Sequence, residues 1–180
     1  MLILNLLNCH IQSLQLQIIL LNQDDSSKCT AQKLVKFELA MKVRKFRRDS
    51  IVLNPLSKTL LSPVDKSVSE FVCAVDCSWE NIHQVAKLNS FHSNYSRRLP
   101  NLLAGNPTNY SKLGKLSTAE AFAGCAYILG NKKLSIALMN KFKWGHTFLE
   151  LNAEPLEDYS RSTNQEEIMK IEKDYFLQEY

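Results

Sequence analysis

The run FVCAVDCSWENIHQVAKL, Phe71 to Leu88, decides the fold class. Phe71–Val75 is a short unbroken apolar stretch, the length and composition of a strand buried on both faces. It passes straight into polar Asp76-Cys77-Ser78-Trp79, and Glu80–Leu88 then reads as a helix. Working upstream, Ile51–Leu53 is a second such strand, stopped by Asn54-Pro55 because proline cannot donate to a sheet ladder. Leu16–Asn22 is a third. Between these two, Ala31–Phe46 reads as a strongly basic helix. Working downstream, Leu102–Ala104 is a fourth apolar run, ended by Gly105-Asn106-Pro107. Short strands alternating with helical stretches predict an α/β fold with an open, largely parallel sheet.

The second half of the chain changes character. Ser117-Thr118-Ala119-Glu120 is a capping box, in which the serine hydroxyl and the glutamate carboxylate each satisfy a backbone N–H at a helix start. The helix it opens ends near Gly130. A second helix is expected from Lys132 to Trp144, stopped by Gly145. His146–Asn152, Glu154–Ser160 and Gln165–Tyr180 read as further helices. The expected organisation is a variable extension over residues 1–15, an α/β part over 16–112 and a helical part over 113–180.

The charge is unevenly spread along the 180 residues. Residues 1–149 carry nineteen Lys and Arg against nine Asp and Glu, whereas residues 150–180 carry three against nine. A basic body is the electrostatic footprint of a polyanionic partner, although ordinary proteins show the same imbalance. The five cysteines, at 9, 29, 73, 77 and 125, include no C-x-x-C pair. That spacing suggests neither a disulfide framework nor a zinc site, and a reducing compartment fits it best. No metal is expected. The apolar start, MLILNLLNCHIQSLQLQIILLNQ, lacks a positive flank and a small-residue cleavage site. Asn5, Asn8, His10, Gln12, Ser13, Gln15 and Gln17 interrupt it, so Met1–Gln15 reads as an extension, with a membrane anchor as the alternative.

The five glycines exclude both the G-x-G-x-x-G fingerprint and the phosphate-binding P-loop. A nucleotide-like cofactor would have to be held by backbone loops at strand ends. Leu53–Pro55, Val75–Trp79 and Asn106–Lys115 each follow a predicted strand. Asp76 is either a carboxylate poised in such a crevice or the N-cap of the next helix. Trp79 either covers a flat ligand or fills a strand–helix corner. Glu120 is explained by the capping box. Lys42, Arg44, Lys45, Arg47 and Arg48, with Arg97, Arg98, Lys141 and Lys143, could neutralise RNA phosphates, or could simply be solvated faces.

Taken in order, the motifs resemble one family, the small-subunit (18S in eukaryotes) ribosomal RNA aminocarboxypropyltransferases. The stretches that carry the resemblance are Lys28-Cys29-Thr30-Ala31-Gln32-Lys33-Leu34, Leu61-Ser62-Pro63-Val64-Asp65, Val75-Asp76-Cys77-Ser78-Trp79 and Arg98-Leu99-Pro100. They continue with Ala104-Gly105-Asn106-Pro107-Thr108-Asn109-Tyr110, Leu116-Ser117-Thr118-Ala119-Glu120-Ala121-Phe122-Ala123 and Lys141-Phe142-Lys143-Trp144-Gly145.

This resemblance implies a SPOUT-like knotted sheet in the N-terminal half and a helical C-terminal domain. It also implies S-adenosyl-L-methionine as cofactor, with its 3-amino-3-carboxypropyl arm transferred to ring nitrogen 3 of a hypermodified pseudouridine. Leu53 and Pro55 would flank the adenine with Trp79 and Ala121. The Leu99 amide would hydrogen-bond it, the Val75 carbonyl would hold the ribose, and Thr30 and Thr118 would lie near the methionine arm. Gly114 belongs to the loop of the same adenine site, and Asp76 is the candidate base.

The expected partner is small-subunit rRNA in a pre-40S particle, met by a monomer in the cytoplasm, with the nucleus also open. Two departures stand out. Ser111, Leu113 and Gly114 replace the family's usual glycine, proline and aromatic, and Asp24-Asp25-Ser26-Ser27 replaces its C-D-P-K/R. A SPOUT-like RNA methyltransferase and a non-catalytic assembly factor are the alternatives.

Overall fold

The computed structural model describes residues 14–21, 29–85 and 93–177. The extension expected over 1–15 lies outside them up to residue 13, as do Asp24–Ser27 and the expected helix end at 86–88. Five strands form one all-parallel sheet in the order β2-β1-β4-β3-β5, with β1 at Gln15–Leu20, β2 at Met41–Lys42, β3 at Ile51–Leu53, β4 at Phe71–Asp76 and β5 at Ser96–Arg97. Central β4 is flanked by β1 and β3, and its interior Val72, Cys73 and Ala74 are buried, as a strand covered on both faces requires.

Seven helices accompany the sheet among the described residues: α1 (Thr30–Lys36), α2 (Ile82–Val85), α3 (Thr118–Ile128), α4 (Lys132–Met139), α5 (Gly145–Leu151), α6 (Ala153–Arg161) and α7 (Gln165–Phe176). One hydrophobic cluster runs from Leu16, Ile18 and Val72 on the sheet through Phe122 of α3 to Leu138, Phe148, Tyr159 and Ile168. The two halves of the chain therefore share a core. No helix of the described residues is long and apolar enough to cross a membrane.

Four elements differ from the sequence-based expectation. The basic helix predicted over 31–46 stops at Lys36. Glu38 takes a left-handed conformation (φ 58°), and the Leu39 and Glu38 amides bond back to the carbonyls of Leu34 and Val35, which is a Schellman stop built on glutamate. The chain after it becomes edge strand β2 and an exposed loop. The strand predicted at Leu102–Ala104 is an irregular segment. Its residues are apolar because Leu102 and Ala104 are wholly buried, while the fifth strand forms at Ser96–Arg97.

The helix predicted over 132–144 ends at Met139, and Gly145 opens α5 instead of closing α4. A Cβ at Gly145 would overlap the Met139 carbonyl oxygen, so glycine is there for close backbone approach. After Trp79, a 3-10 turn (Trp79–Asn81) precedes the short α2, in place of the single continuous helix expected.

Candidate active site

In a parallel sheet, ligands bind outside the carboxyl ends of the strands where the connections diverge. Here β1 leads towards β2 at one edge, while β4 leads past β3 to β5 at the other. The divergence falls between the carboxyl ends of β1 and β4, where Leu20 and Asp76 are register partners. Asp76 is 8% exposed. One carboxylate oxygen accepts the Thr118 hydroxyl at 2.9 Å and the other accepts the Cys29 thiol at 3.1 Å.

Asp76 is therefore not an N-cap; the following turn is preceded by Ser78. Cys29 is itself the N-cap of α1, its sulfur accepting the Gln32 amide at 3.3 Å. Burial is the main cause that pushes the Cys29 thiol up to about 11, so it remains a neutral donor to Asp76 near neutrality.

The starts of α1 and α3 are tied together at the same point. Thr30 Oγ1 accepts the Ala119 amide at 3.4 Å, which sets Thr30 beside the first turn of α3. Ala121 lies three residues beyond Thr118 and so shares its helix face. Trp79 is half-buried, donating its indole N–H to the Leu116 carbonyl at 3.1 Å, with the Lys115 ammonium 4.6 Å from the ring centroid. It thus pins the segment leading into α3 while one ring face meets a cation.

On the other side of Asp76, Leu53 pairs with Ala74 of β4 and Arg97 of β5, and the Asn54 amide bonds the Arg97 carbonyl at 2.8 Å. Leu53–Pro55, Val75 and Leu99 consequently sit at the carboxyl ends of three adjacent strands. The Leu99 amide donates to no group among the described residues, although Leu99 is half-buried and packs against the main core. An unused donor on a half-buried residue leaves one backbone hydrogen bond for a ligand to accept.

The segment 98–117, which carries Leu99 and Gly114, has almost no regular structure, yet its backbone is held along its length. Glu120 is wholly buried and its carboxylate accepts the amides of Gly105 (2.7 Å), Asn106 (2.9 Å) and Ser117 (2.7 Å) and the Asn106 side chain (2.7 Å). The capping box signalled only the Ser117 contact. Asn152, which caps α5, accepts the Leu103 amide and donates to the Leu103 and Phe148 carbonyls, each at 2.8 Å. A Cβ at Gly105 would meet the Phe148 backbone nitrogen at 2.5 Å, so this approach also needs glycine. Ser111 (φ 60°) and Gly114 (φ 69°) both turn left-handed; the first stands where the resembling family carries glycine.

Lys42, Arg44, Lys45, Arg47 and Arg48 are all exposed, but on an edge strand and loop and not on a helix. Arg47 pairs with Asp49 at 3.1 Å and lies over the Phe71 ring at 4.3 Å. Lys141 and Lys143 are exposed too, and the Lys141 ammonium is 5.6 Å from the ring of Phe37, which caps α1. Both basic groups thus flank the turn that follows α1. Arg98 is placed differently: it is committed to Glu172 of α7 at 2.9 and 3.1 Å. Arg97 is likewise bound to buried Asp65 at 2.9 Å. Two contacts had no signal in the sequence: Cys29 lies 47 residues from Asp76, and Glu172 lies 74 from Arg98. Among the described residues no group of three His, Cys, Asp or Glu could hold a metal ion.

Comparison with known proteins adds an independent line. A family described as "Ribosome biogenesis protein, C-terminal" matches residues 51–176. The 16S rRNA aminocarboxypropyltransferase of Methanococcoides burtonii is 46% identical over 157 residues, covering 85% of this chain and 90% of that protein. Its namesake from Methanosarcina mazei is 44% identical over 160 residues, covering 85% and 90%. The solved SAM-dependent rRNA:acp-transferase Tsr3 from Vulcanisaeta distributa superposes with a TM-score of 0.78 at 37% identity, covering 87% of this chain and 88% of that one.

Proposed function

This chain belongs to the family of the rRNA aminocarboxypropyltransferases, and from that premise we propose that it moves the 3-amino-3-carboxypropyl group of S-adenosylmethionine onto ring nitrogen 3 of a hypermodified pseudouridine in small-subunit (18S) rRNA. Family membership carries the reaction type. The observation that carries the site is Asp76, buried at the carboxyl end of β4 and gripped by Cys29 and Thr118.

Bound there, S-adenosylmethionine supplies a sulfonium with three electrophilic carbons, one of which leads the aminocarboxypropyl arm. Which carbon reacts is decided by which one is held in line with the nucleophile. The residues at hand divide that work. Leu53, Pro55, Trp79, Ala121 and the Gly114 loop enclose the adenine, the Leu99 amide donates to it, and the Val75 carbonyl accepts from the ribose hydroxyls. Thr30 and Thr118, at the joined starts of α1 and α3, hold the methionine arm beside Asp76. An imide nitrogen must lose its proton to become a nucleophile, and Asp76 takes that proton as general base; as the nitrogen bonds the first carbon of the arm, that carbon's bond to sulfur would break, leaving its electron pair on sulfur and releasing 5′-methylthioadenosine. The bonds of Asp76 to Thr118 and Cys29 fix the carboxylate's orientation.

Exposed Lys42, Arg44, Lys45, Arg47, Arg48, Lys141 and Lys143 engage rRNA phosphates. The reading extends to a monomer that meets the pre-40S particle in the cytoplasm, with the nucleus as a further place of action. It includes a SPOUT-like knotted chain path, supported by the parallel sheet with β4 between β1 and β3. An experimental chain trace through 54–62 and 98–117 tests that path.

The deciding experiment uses S-adenosylmethionine labelled in the methyl group or in the carboxyl of the methionine arm, incubated with the protein and unmodified small subunits. Carboxyl label in the RNA without methyl label is the expected result. Methyl label alone would make the protein a methyltransferase. Absence of both transfer and cofactor binding would make it a non-catalytic assembly factor.

A further inference from the structure

Glu172 lies on α7, far in sequence from every residue of the site, yet it is only 5% exposed. A buried carboxylate is costly unless charge and hydrogen bonds compensate it. Among the described residues its hydrogen-bond partners all lie in 98–101. Arg98 donates to both carboxylate oxygens, at 2.9 and 3.1 Å, and the Asn101 amide donates to one of them at 2.6 Å. The same Arg98 nitrogen also donates to the Leu99 carbonyl at 3.2 Å.

The backbone of Arg98 is pinned independently. Its amide bonds the Thr59 carbonyl and its carbonyl takes the Leu61 amide, each at 2.8 Å. Tyr159 of α6 donates its hydroxyl to the Asn101 carbonyl at 3.2 Å. The peptides on either side of Leu99 are thus clamped while the Leu99 amide itself takes no partner among the described residues. Such an arrangement aims one N–H at a ligand and restrains it from rotating away.

We propose that Glu172 is a positioning residue of the cofactor site, acting through Arg98 and the Asn101 amide to aim the Leu99 N–H at the adenine. This rests on the cofactor reading above. It gives the last helix a share in cofactor recognition, and it assigns Arg98 to the clamp and not to the RNA face. Bidentate geometry matters here, because a lysine in place of Arg98 keeps the charge but loses the fork.

The test is steady-state kinetics on the full chain with small subunits as RNA substrate, for wild type, Glu172→Gln, Arg98→Ala and Arg98→Lys. Cofactor affinity is measured by titration with S-adenosylmethionine alone. Glu172→Gln and Arg98→Ala are expected to raise Kd and KM for S-adenosylmethionine about tenfold, the loss of roughly one charge-assisted hydrogen bond. The kcat at saturating cofactor and the KM for subunits should change little. Arg98→Lys should recover part of the loss. If Glu172→Gln does not fold, the Arg98 pair of variants carries the same comparison.

A lowered melting temperature with unchanged cofactor Kd would reduce Glu172 to a structural brace and overturn the proposal. So would Arg98→Ala raising KM for subunits alone, which would make Arg98 an RNA contact. A wild-type chain that binds no S-adenosylmethionine would instead bring down the cofactor reading itself, and that outcome is visible before any variant is made.

Discussion

Residues 98–117 and 41–49 are both largely irregular, and they are built on opposite principles. The first is tied at both ends to buried side chains of the helical half, by Glu172 at 98 and 101, Tyr159 at 101, Asn152 at 103 and Glu120 at 105, 106 and 117, and the exposed turn between folds back on the segment's own backbone. The second leaves five cations in solvent, and among the described residues only Arg47 of these is engaged, on Asp49 and the Phe71 ring. The difference matches what the proposed function asks of each segment. A reaction that selects one of three carbons needs groups fixed to within a fraction of an ångström, so its loop is clamped. Phosphate neutralisation needs charge at long reach, and flexible lysine and arginine side chains supply it without a fixed backbone. Irregular structure can therefore be either the most or the least constrained part of a protein, depending on where its amides and carbonyls find partners.

Substitutions in the two segments should accordingly fail in different ways. The largest effect is expected at the site that the clamped segment serves. Asp76→Asn keeps the side chain's size and one acceptor oxygen, turns the other oxygen into an N–H donor and removes the base, so aminocarboxypropyl transfer should fall by about 10²–10⁴-fold with cofactor binding little changed. Full turnover in that variant would remove Asp76 from the mechanism. Next comes the clamp. Glu120→Ala leaves three buried or half-buried backbone amides and one side-chain amide without their acceptor, and should cost about 3 kcal/mol or more in urea-induced unfolding. A loss within the range of an ordinary surface change would mean that the 98–117 segment is held by packing alone.

The exposed segment should respond oppositely. Alanine at Arg44, Lys45 or Arg48 should leave stability within about 0.5 kcal/mol. Each change should lower the slope of log affinity for rRNA against log salt by about 0.9 for every phosphate that is no longer neutralised. An unaltered slope in all three would move the RNA face elsewhere.

The smallest effect concerns Cys29. Its thiol titrates at about 11 in the folded chain, above the ordinary value of 9.0. The folded state therefore holds this proton more tightly, and the stabilisation is complete below the unfolded pKa and lost as pH rises from about 9 towards 11. Cys29→Ser, which keeps the donor to Asp76 but titrates far higher, should flatten the stability profile over that window. An unchanged profile would mean that other groups cause the alkaline loss.

Much of the α/β half is legible in the sequence because its strands are short apolar runs with polar or proline stops. Ile51–Leu53 and Phe71–Val75 match the strands of the sheet almost to the residue. The rest depends on contacts that no local pattern records. Leu102–Ala104 is as apolar as a strand, because burial selects the same residues whether or not a ladder forms. The helix expected to reach Phe46 stops short at Glu38, whose left-handed turn the sequence does not advertise since glutamate ordinarily favours helix. Gly145 reads as a stop because glycine commonly ends helices, whereas here it lets two backbones touch.

Sequence alone determined the class of fold, the strand-end position of Asp76, the capping box at Ser117 and the basic run at Lys42–Arg48, since each rests on residues adjacent in the chain or on the periodicity of one element. Only the tertiary structure decided that Cys29 and Thr118 meet Asp76, that Glu120 holds donors of the 105–106 turn, and that Glu172 claims Arg98. Those contacts join groups between 14 and 74 residues apart, which no shared periodicity links. Their existence follows from how the sheet and helices pack, because a buried carboxylate must find its partners wherever the fold delivers them.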